Sequence, residues 1–232
     1  MNETEKTNKL RGSKFIAQYM YGKFIDIGAG NDLVYEGAER FDIEDGDANF
    51  ITQYRIKESY DTVHSSHCLE HMFNPKCALA EWWELVKPNG HMIVVVPDEN
   101  LYEQGIWPSH FNSDHKNTFR LNESASWSPV SHDIYKLFDA LPNAEIISSE
   151  KHDAFYDYKF QFNHTMHIGK KPKWFKLITK ILVKIAPINR QKLKKIIDQY
   201  AFKHFQVPMD QTKYEAVAQI QLIARKKTVQ PK

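Results

Sequence analysis

The run Phe24-Ile25-Asp26-Ile27-Gly28-Ala29-Gly30-Asn31-Asp32 constrains the fold more than any other part of the 232-residue chain. A short apolar run that stops at a glycine pair reads as a buried parallel strand turning sharply at its carboxyl end. Bare backbone at Gly28 and Gly30 lets a ligand lie directly on the turn. A dinucleotide fingerprint needs a third glycine three positions after Gly30, where Leu33 stands, and the Gly-Lys-Ser/Thr of a P-loop is absent. The turn therefore lacks the usual glycine set for a pyrophosphate. It keeps Asp26, an acid inside an apolar strand. A ligand with a cationic amino group would explain that carboxylate; a plain strand-to-helix turn is the alternative.

Around this turn the chain alternates helical and strand patterns. Leu10 to Tyr21 reads as a helix, Lys23 to Ile27 as a strand, and Glu39 to Ile43 as a second. Tyr60 to Ser65 reads as a third strand and Cys77 to Val86 as a helix with Leu79, Trp82, Trp83 and Val86 on its apolar side. Lys87-Pro88-Asn89-Gly90 predicts a tight turn into the strand His91 to Val96, ended by Pro97. Asp133 to Ala140 is a helix, Ala144 to Ser149 a strand, and Glu215 to Arg225 a last edge strand. This alternation predicts an α/β fold: a doubly wound, mostly parallel sheet with helices on both faces. Residues 153–211 form a basic helical insertion before the last strand, within a single domain spanning 1–232.

The charge balance of 31 Lys and Arg against 29 Asp and Glu hides an asymmetry. Lys170 to Lys195 holds ten basic residues and no acid, and the remainder of the chain is acidic. That argues against nucleic acid as a partner of the main body. Cys68 and Cys77 make no disulfide framework and no zinc pair. With a polar, charged N-terminus and no apolar stretch of membrane-spanning length, a reducing cytoplasmic compartment is expected.

Further acids follow the turn in an informative order. Asp42, at the end of the second strand, can accept both hydroxyls of a ribose, and Asp47 in Gly46-Asp47-Ala48 can accept from an adenine amino group. Tyr60-Asp61-Thr62-Val63-His64-Ser65-Ser66-His67-Cys68-Leu69-Glu70-His71 then runs out of a strand into a helix. The ordered set Asp-x-Gly-x-Gly, strand-end acid, Tyr-Asp-x-Val-x-Ser-Ser-His-x-Leu-Glu-His and Lys-Pro-Asn-Gly resembles the class I S-adenosylmethionine-dependent methyltransferases, over residues 10–152 and the closing strand. The resemblance implies a Rossmann-like fold and S-adenosyl-L-methionine as cofactor. It further implies that Asp26, Gly28, Ala29 and Gly30 cradle the methionine part, that Asp42 holds the ribose and Asp47-Ala48 the adenine, and that Ser66 and His67 line the methyl-transfer pocket. Only 14 residues separate Gly28 from Asp42, so the first helix must be short, and Glu44 or Asp45 is the alternative ribose ligand.

A second loop, Pro97 to Lys116, interleaves Tyr102, Trp107 and Phe111 with polar residues after the strongest strand, as binding loops do. Methyl transfer needs alignment and often a base for the acceptor's proton. His110, Asp114 and His115 suit that role, a carboxylate beside an imidazole orienting it. Tyr102, Glu103 and Asn112 are the expected acceptor contacts. Nothing in the spacing singles out a metal, so none is expected, and Glu70 and His71 read as helix-supporting residues. The loop resembles that of bacterial methyltransferases of surface polysaccharide. The expected reaction is therefore transfer to an oxygen, or less readily a nitrogen, of a small polar acceptor such as a sugar or a phosphorylated precursor. A non-catalytic cofactor-binding subunit or membrane-surface adaptor is the alternative.

In the insertion, Lys173, Lys176, Lys180 and Lys184 recur at helical spacing on one face, and Trp174, Ile178, Ile181, Leu182 and Ile185 on another. A basic amphipathic helix ended by Pro187 and a second one from Arg190 to Phe205 follow. Packing of the apolar face on the domain, as a lid or dimer contact, is the expected use. An anionic membrane surface over 170–205 and attraction of an acidic acceptor are the other uses. The sequence leaves the oligomeric state open.

Overall fold

The computed structural model describes residues 3–185 and 189–228. Two short helices, α1 (Glu3–Leu10) and α2 (Ser13–Tyr19), lead into β1 (Phe24–Ile27), and β2 (Glu39–Phe41) and β3 (Tyr60–Ser66) follow. After α3 (Pro75–Glu84) and the long β4 (Val86–Pro97) comes a small parallel pair, β5 (Thr118–Arg120) and β6 (Ser131–Asp133). Then follow α4 (Ile134–Asp139), β7 (Ala144–His152), α5 (Lys173–Ile185), α6 (Arg190–Phe205) and β8 (Gln219–Lys226). The main sheet runs β2-β1-β3-β4-β8-β7. Its first four strands are parallel, and β8 is antiparallel to both β4 and β7.

Side chains alternate across the sheet. Ile25, Ile27, Val63, Met92, Val94 and Leu222 pack against Leu79, Trp82, Trp83, Ile134 and Phe138 of α3 and α4. On the other face Ile93 and Ile223 meet Tyr19, and Phe24 meets Met20, both at the end of α2. A sheet covered on both sides explains why β1 is buried at every position. Helix α3 starts where Asn74 accepts from the Cys77 amide and Pro75 takes the first helical position.

Three expectations change. No helix joins β1 to β2: residues 28–38 form turns, too short a span once Phe41 is paired with Ile27. The closing strand is not at the edge, because β8 slots between β4 and β7 with Gln219 to Ala224 all buried, and β7 is the edge. Lys87–Gly90 lies within β4 as an irregularity, with Asn89 in the left-handed region and the register to β3 slipping between Tyr60 and Thr62.

The insertion leaves the sheet after β7 and carries α5 and α6, as the lysine spacing predicted; Pro187 lies outside the described residues. The apolar face of α5 is left open. Trp174 is 56% and Ile185 71% exposed, and Leu177, Ile178, Ile181 and Leu182 are also exposed. Among the described residues of α5, Phe175 alone is buried, stacked on Tyr200 and edge-on to Phe205. Among the described residues no helix is long and apolar enough to cross a membrane.

Candidate functional site

The carboxyl ends of β1, β2 and β3 open onto a cleft of about 720 Å³, lined among others by Gly28, Asp42, Asp47, Ala48, His67, Cys68, His71, Phe73 and Lys116. This is where a parallel α/β sheet binds ligands. Gly28 is left-handed, at φ 74°, and a Cβ there would sit 2.6 Å from Cys68 Cβ, so only glycine allows the turn and the start of the next segment to meet. Burial, reinforced by Glu70 and Asp42, pushes the Cys68 thiol well above its ordinary range, which leaves it unreactive.

Two carboxylates hold the loop that replaces the first helix. Asp42 Oδ2 accepts from the Gly30 amide at 2.6 Å and its Oδ1 from the Ile43 amide at 2.7 Å, while its carboxylate lines the cleft. Glu44 and Asp45 both engage Arg40 instead, so Asp42 is the ribose candidate that faces the cleft. Asp47 caps the next turn through the Asn49 amide. Ala29 and Gly30 belong to the loop beside the cleft without lining it.

The structure places Asp26 off the cleft lining. Its carboxylate lies beneath the turn, where Oδ2 accepts from the Val34 amide at 2.8 Å and Oδ1 from His64 Nδ1 at 2.7 Å. Arg11 donates to His64 Nε2 at 3.1 Å and to Gln221 Oε1. Burial lowers the His64 pKa and outweighs Asp26, so the ring stays neutral with its proton on Nδ1. Burial also lowers the Arg11 guanidinium to about 10 against the pull of Asp26. With 3% exposure and no place on the cleft lining, this carboxylate fixes the loop from below.

Beyond the glycine turn, β3 ends at Ser66 and His67 follows, held left-handed at φ 54°, with its amide donating to the Val95 carbonyl at 2.9 Å and its Nε2 bonded to Gln219 Oε1 at 3.1 Å. Ser66 Oγ is buried with no hydrogen-bond partner and is absent from the cleft lining. The one-turn helix Leu69–His71 then meets the second loop. Lys116 and Asn117 amides both donate to the Glu70 carbonyl, Lys116 Nζ to the His71 carbonyl, and Asn117 Nδ2 to the Met72 carbonyl. These bonds lock Glu70 and His71 to the loop that carries His115.

The sequence reading assigned Glu70 and His71 to helix support; the structure puts His71 on the cleft wall and Glu70 behind it. Glu70 is 1% exposed, and neither carboxylate oxygen has a hydrogen-bond partner. Its Oε1 lies 3.6 Å from His67 Nδ1, 4.0 Å from His71 Nε2 and 3.9 Å from His115 Nε2. Burial pushes the Glu70 carboxyl up, but the three imidazoles more than offset this and hold it below the ordinary range. No short spacing announces this cluster, because His115 arrives from a different loop.

His115 is buried, and its orienting carboxylate is Glu103, which accepts from Nδ1 at 2.6 Å. Asp114, expected in that role, exposes its side chain and supplies only its carbonyl, to His71 Nδ1 at 3.1 Å. His110 is exposed, against Phe111. Of the expected acceptor contacts, Tyr102 lies 5.3 Å from the His115 ring, Glu103 is committed to His115, and Asn112 accepts from the Asp114 amide. The structure thus brings together Asp42, Asp47 and His67 on the cleft and His115 behind His71. It leaves Asp26, Ser66, His110 and the Asp114 side chain off the cleft.

A family model described as a methyltransferase domain matches residues 9–146. Curated proteins give no match. Among solved structures, a SAM-dependent methyltransferase from Archaeoglobus fulgidus is 14% identical with a TM-score of 0.47, over 97% of this chain and 95% of that one. The YcgJ protein of Bacillus subtilis is 14% identical with a TM-score of 0.45, over 97% and 99%. A Haemonchus contortus phosphoethanolamine N-methyltransferase, bound to phosphomonomethylethanolamine and S-adenosylhomocysteine, is 12% identical with a TM-score of 0.49, over 98% of this chain and 53% of that one.

Proposed function

The chain belongs to the methyltransferase-domain family, class I enzymes dependent on S-adenosylmethionine, and from that premise we propose that it methylates an oxygen of a small polar acceptor, a saccharide or phosphorylated saccharide. The cleft fits the cofactor. Its volume of about 720 Å³ lies within the usual range for small-molecule sites. Gly28 offers bare backbone, Asp42 a carboxylate for a diol, and Asp47 one for an exocyclic amine. Bound S-adenosylmethionine supplies an electrophilic methyl carbon on a sulfonium.

The observation that carries the acceptor class is the His71–Phe73–Lys116 wall. Lys116 Nζ binds the His71 carbonyl and lies 5.0 Å from the centre of the exposed Phe73 ring. An imidazole, a cation and an exposed aromatic ring on one wall suit a sugar ring carrying negative charge. As the acceptor oxygen forms its bond to the methyl carbon, the carbon–sulfur bond breaks and the sulfonium becomes a neutral thioether. The acceptor's hydroxyl proton is received at the Glu70–His71–His115 cluster. His71 and His115 are suited to this because each spends Nδ1 on a fixed acceptor, Asp114 carbonyl and Glu103, and turns Nε2 inward.

The test is a panel of free and phosphorylated sugars, amines and carboxylic acids, read by mass spectrometry for a gain of one methylene. O-methylated sugar is the expected product, and Lys116→Ala should raise KM for phosphorylated acceptors more than for neutral ones. Turnover confined to amines would overturn the acceptor assignment.

A further inference from the structure

The geometry points to a divalent transition-metal site formed by Glu70, His71 and His115. Their ligand atoms lie within 4.8 Å of one another. Atoms about 2.0–2.1 Å from one ion at tetrahedral angles are roughly 3.4 Å apart, so the 3.9 and 4.0 Å separations from Glu70 Oε1 to the two Nε2 atoms close with small side-chain shifts. The independent observation is Glu70 itself. A buried carboxylate with two unpartnered oxygens is costly unless a cation meets it. Its neighbour Glu99, equally buried, shows the ordinary solution, accepting from Thr118, Ser126 and Ser131 hydroxyls. Glu70 has none of these donors; the closest imidazole nitrogen, His67 Nδ1, stands at 3.6 Å, outside hydrogen-bond length.

The outer contacts match a metal site as well. His115 gives Nδ1 to a carboxylate and His71 gives Nδ1 to a backbone carbonyl, which leaves each Nε2 lone pair directed at Glu70. Two imidazoles and one carboxylate select Zn²⁺, Fe²⁺, Mn²⁺ or Co²⁺ over the oxygen-seeking Mg²⁺ and Ca²⁺. His71 lines the cleft, so an open coordination position faces it. Resting on the acceptor reading above, the role is to hold the acceptor oxygen and lower the pKa of its hydroxyl; with the ion bound, Glu70, His71 and His115 are its ligands, and the proton passes to water instead of to the cluster.

Metal-stripped protein titrated calorimetrically with Zn²⁺ and Mn²⁺ should bind one ion per chain, with Mg²⁺ much weaker. Glu70→Gln and His115→Gln should each weaken binding at least about 10–100-fold, and Glu103→Gln, a positioning change, by a similar factor. Zn²⁺ should raise the melting temperature of the wild type but not of Glu70→Gln. S-adenosylhomocysteine binding, measured alongside, should be unchanged in Glu70→Gln; its loss in the wild type would defeat the cofactor reading separately. Zn²⁺ affinity insensitive to both Glu70→Gln and His115→Gln, or no saturable binding at millimolar ion, overturns the metal site.

A different observation carries a second inference: we infer that α5 and α6 dock on an anionic lipid surface. The exposed strip Trp174, Leu177, Ile178, Ile181, Leu182 and Ile185 is continuous on one side of α5. A groove between α5 and α6 is walled by Lys176, Lys180, Lys184, Arg190 and Lys194; its acid, Asp198, is taken by Lys171 and Tyr214. An apolar strip beside a dense cationic groove complements acyl chains beside phosphate headgroups.

Co-sedimentation with vesicles of phosphatidylcholine alone, or with phosphatidylglycerol added, reads the binding. Binding should need phosphatidylglycerol, weaken with salt, and fall at least tenfold in Trp174→Ser/Ile181→Ser and in Lys180→Gln/Lys184→Gln. Circular dichroism and melting should stay near wild type, since these side chains are exposed. Inorganic phosphate at millimolar concentration should compete poorly. Equal binding to both vesicles, unchanged binding in both double variants, or a dimer that hides the strip in light scattering overturns the inference.

Discussion

Asp26 shows how far a residue's type reveals its work. The sequence marks it correctly as an anomaly, an acid in an apolar strand, but the donors that satisfy it come from Val34 and from His64 on the neighbouring strand. No linear pattern shows a cross-strand partner. Asp26→Ala leaves the Val34 amide and the His64 Nδ1–H unmet and removes the charge facing Arg11. It should destabilise the protein by about 3–5 kcal/mol in denaturant unfolding, and Asp26→Asn, which keeps one acceptor, by about 1–3 kcal/mol. Asp26→Asn should also weaken S-adenosylhomocysteine binding through the loop; wild-type affinity in a stable Asp26→Asn protein would break that link. His64 sets a pH dependence. Unfolded histidine titrates near 6.5, whereas folded His64, between Asp26 and Arg11, resists protonation. Below about pH 6.5 the unfolded state binds more protons, so stability falls with pH by at most about 1.4 kcal/mol per unit from this group. His91 and His132, also lowered by burial, act in the same direction. Melting curves from pH 7.5 to 5.5 should therefore slope less steeply in His64→Asn, which keeps a donor toward Asp26.

At the scale of elements, strands and the two basic helices were legible because their apolar periods are local. The β1–β2 connection was not, because whether 14 residues can hold a helix depends on how many of them the sheet pairing consumes. The Glu70–His71–His115 cluster was hidden because it joins two loops distant in sequence through bonds no local pattern shows, from the Lys116 and Asn117 amides to the Glu70 carbonyl and from Lys116 Nζ to the His71 carbonyl. The turn itself gives a graded prediction. Gly28→Ala meets both a left-handed backbone and Cys68, while Gly30→Ala, with nothing within 4 Å of its new Cβ, meets the backbone strain alone. That strain is about 1–2 kcal/mol, so Gly30→Ala should lower stability by this amount and Gly28→Ala by more. Adding Cys68→Ala should recover part of the Gly28→Ala loss and none of the Gly30→Ala loss. The second loop is braced from the insertion: Gln104 accepts from the Phe162 amide and donates to the Met209 carbonyl, and Gln161 donates to the Asn100 carbonyl. Gln104→Ala strands two buried backbone groups and should cost about 1–3 kcal/mol, with a lower kcat as the His115 loop loosens.

At the scale of the whole molecule the helical pair is separable from the catalytic body. The Gly169 amide donates to the Gln206 carbonyl at 2.9 Å, so the chain leaves for α5 and returns from α6 at one point. None of the residues lining the cofactor cleft lies between 170 and 205. The body's main contacts to the pair are Phe160 and Phe162 against Phe202, and Tyr214 with Asp198. Excising residues 170–205 and joining Gly169 to Gln206 should therefore keep the fold. It should cost roughly 1.5–3 kcal/mol, about one buried side chain, because Phe160, Met209 and Tyr214 lose the cover of Phe202. S-adenosylhomocysteine affinity in the excised protein should stay within roughly threefold of wild type, under about 0.7 kcal/mol, while association with anionic vesicles disappears. The two measurements divide the molecule: loss of cofactor affinity would mean that the pair supports the cleft, and retained vesicle binding would place the lipid contact on the body.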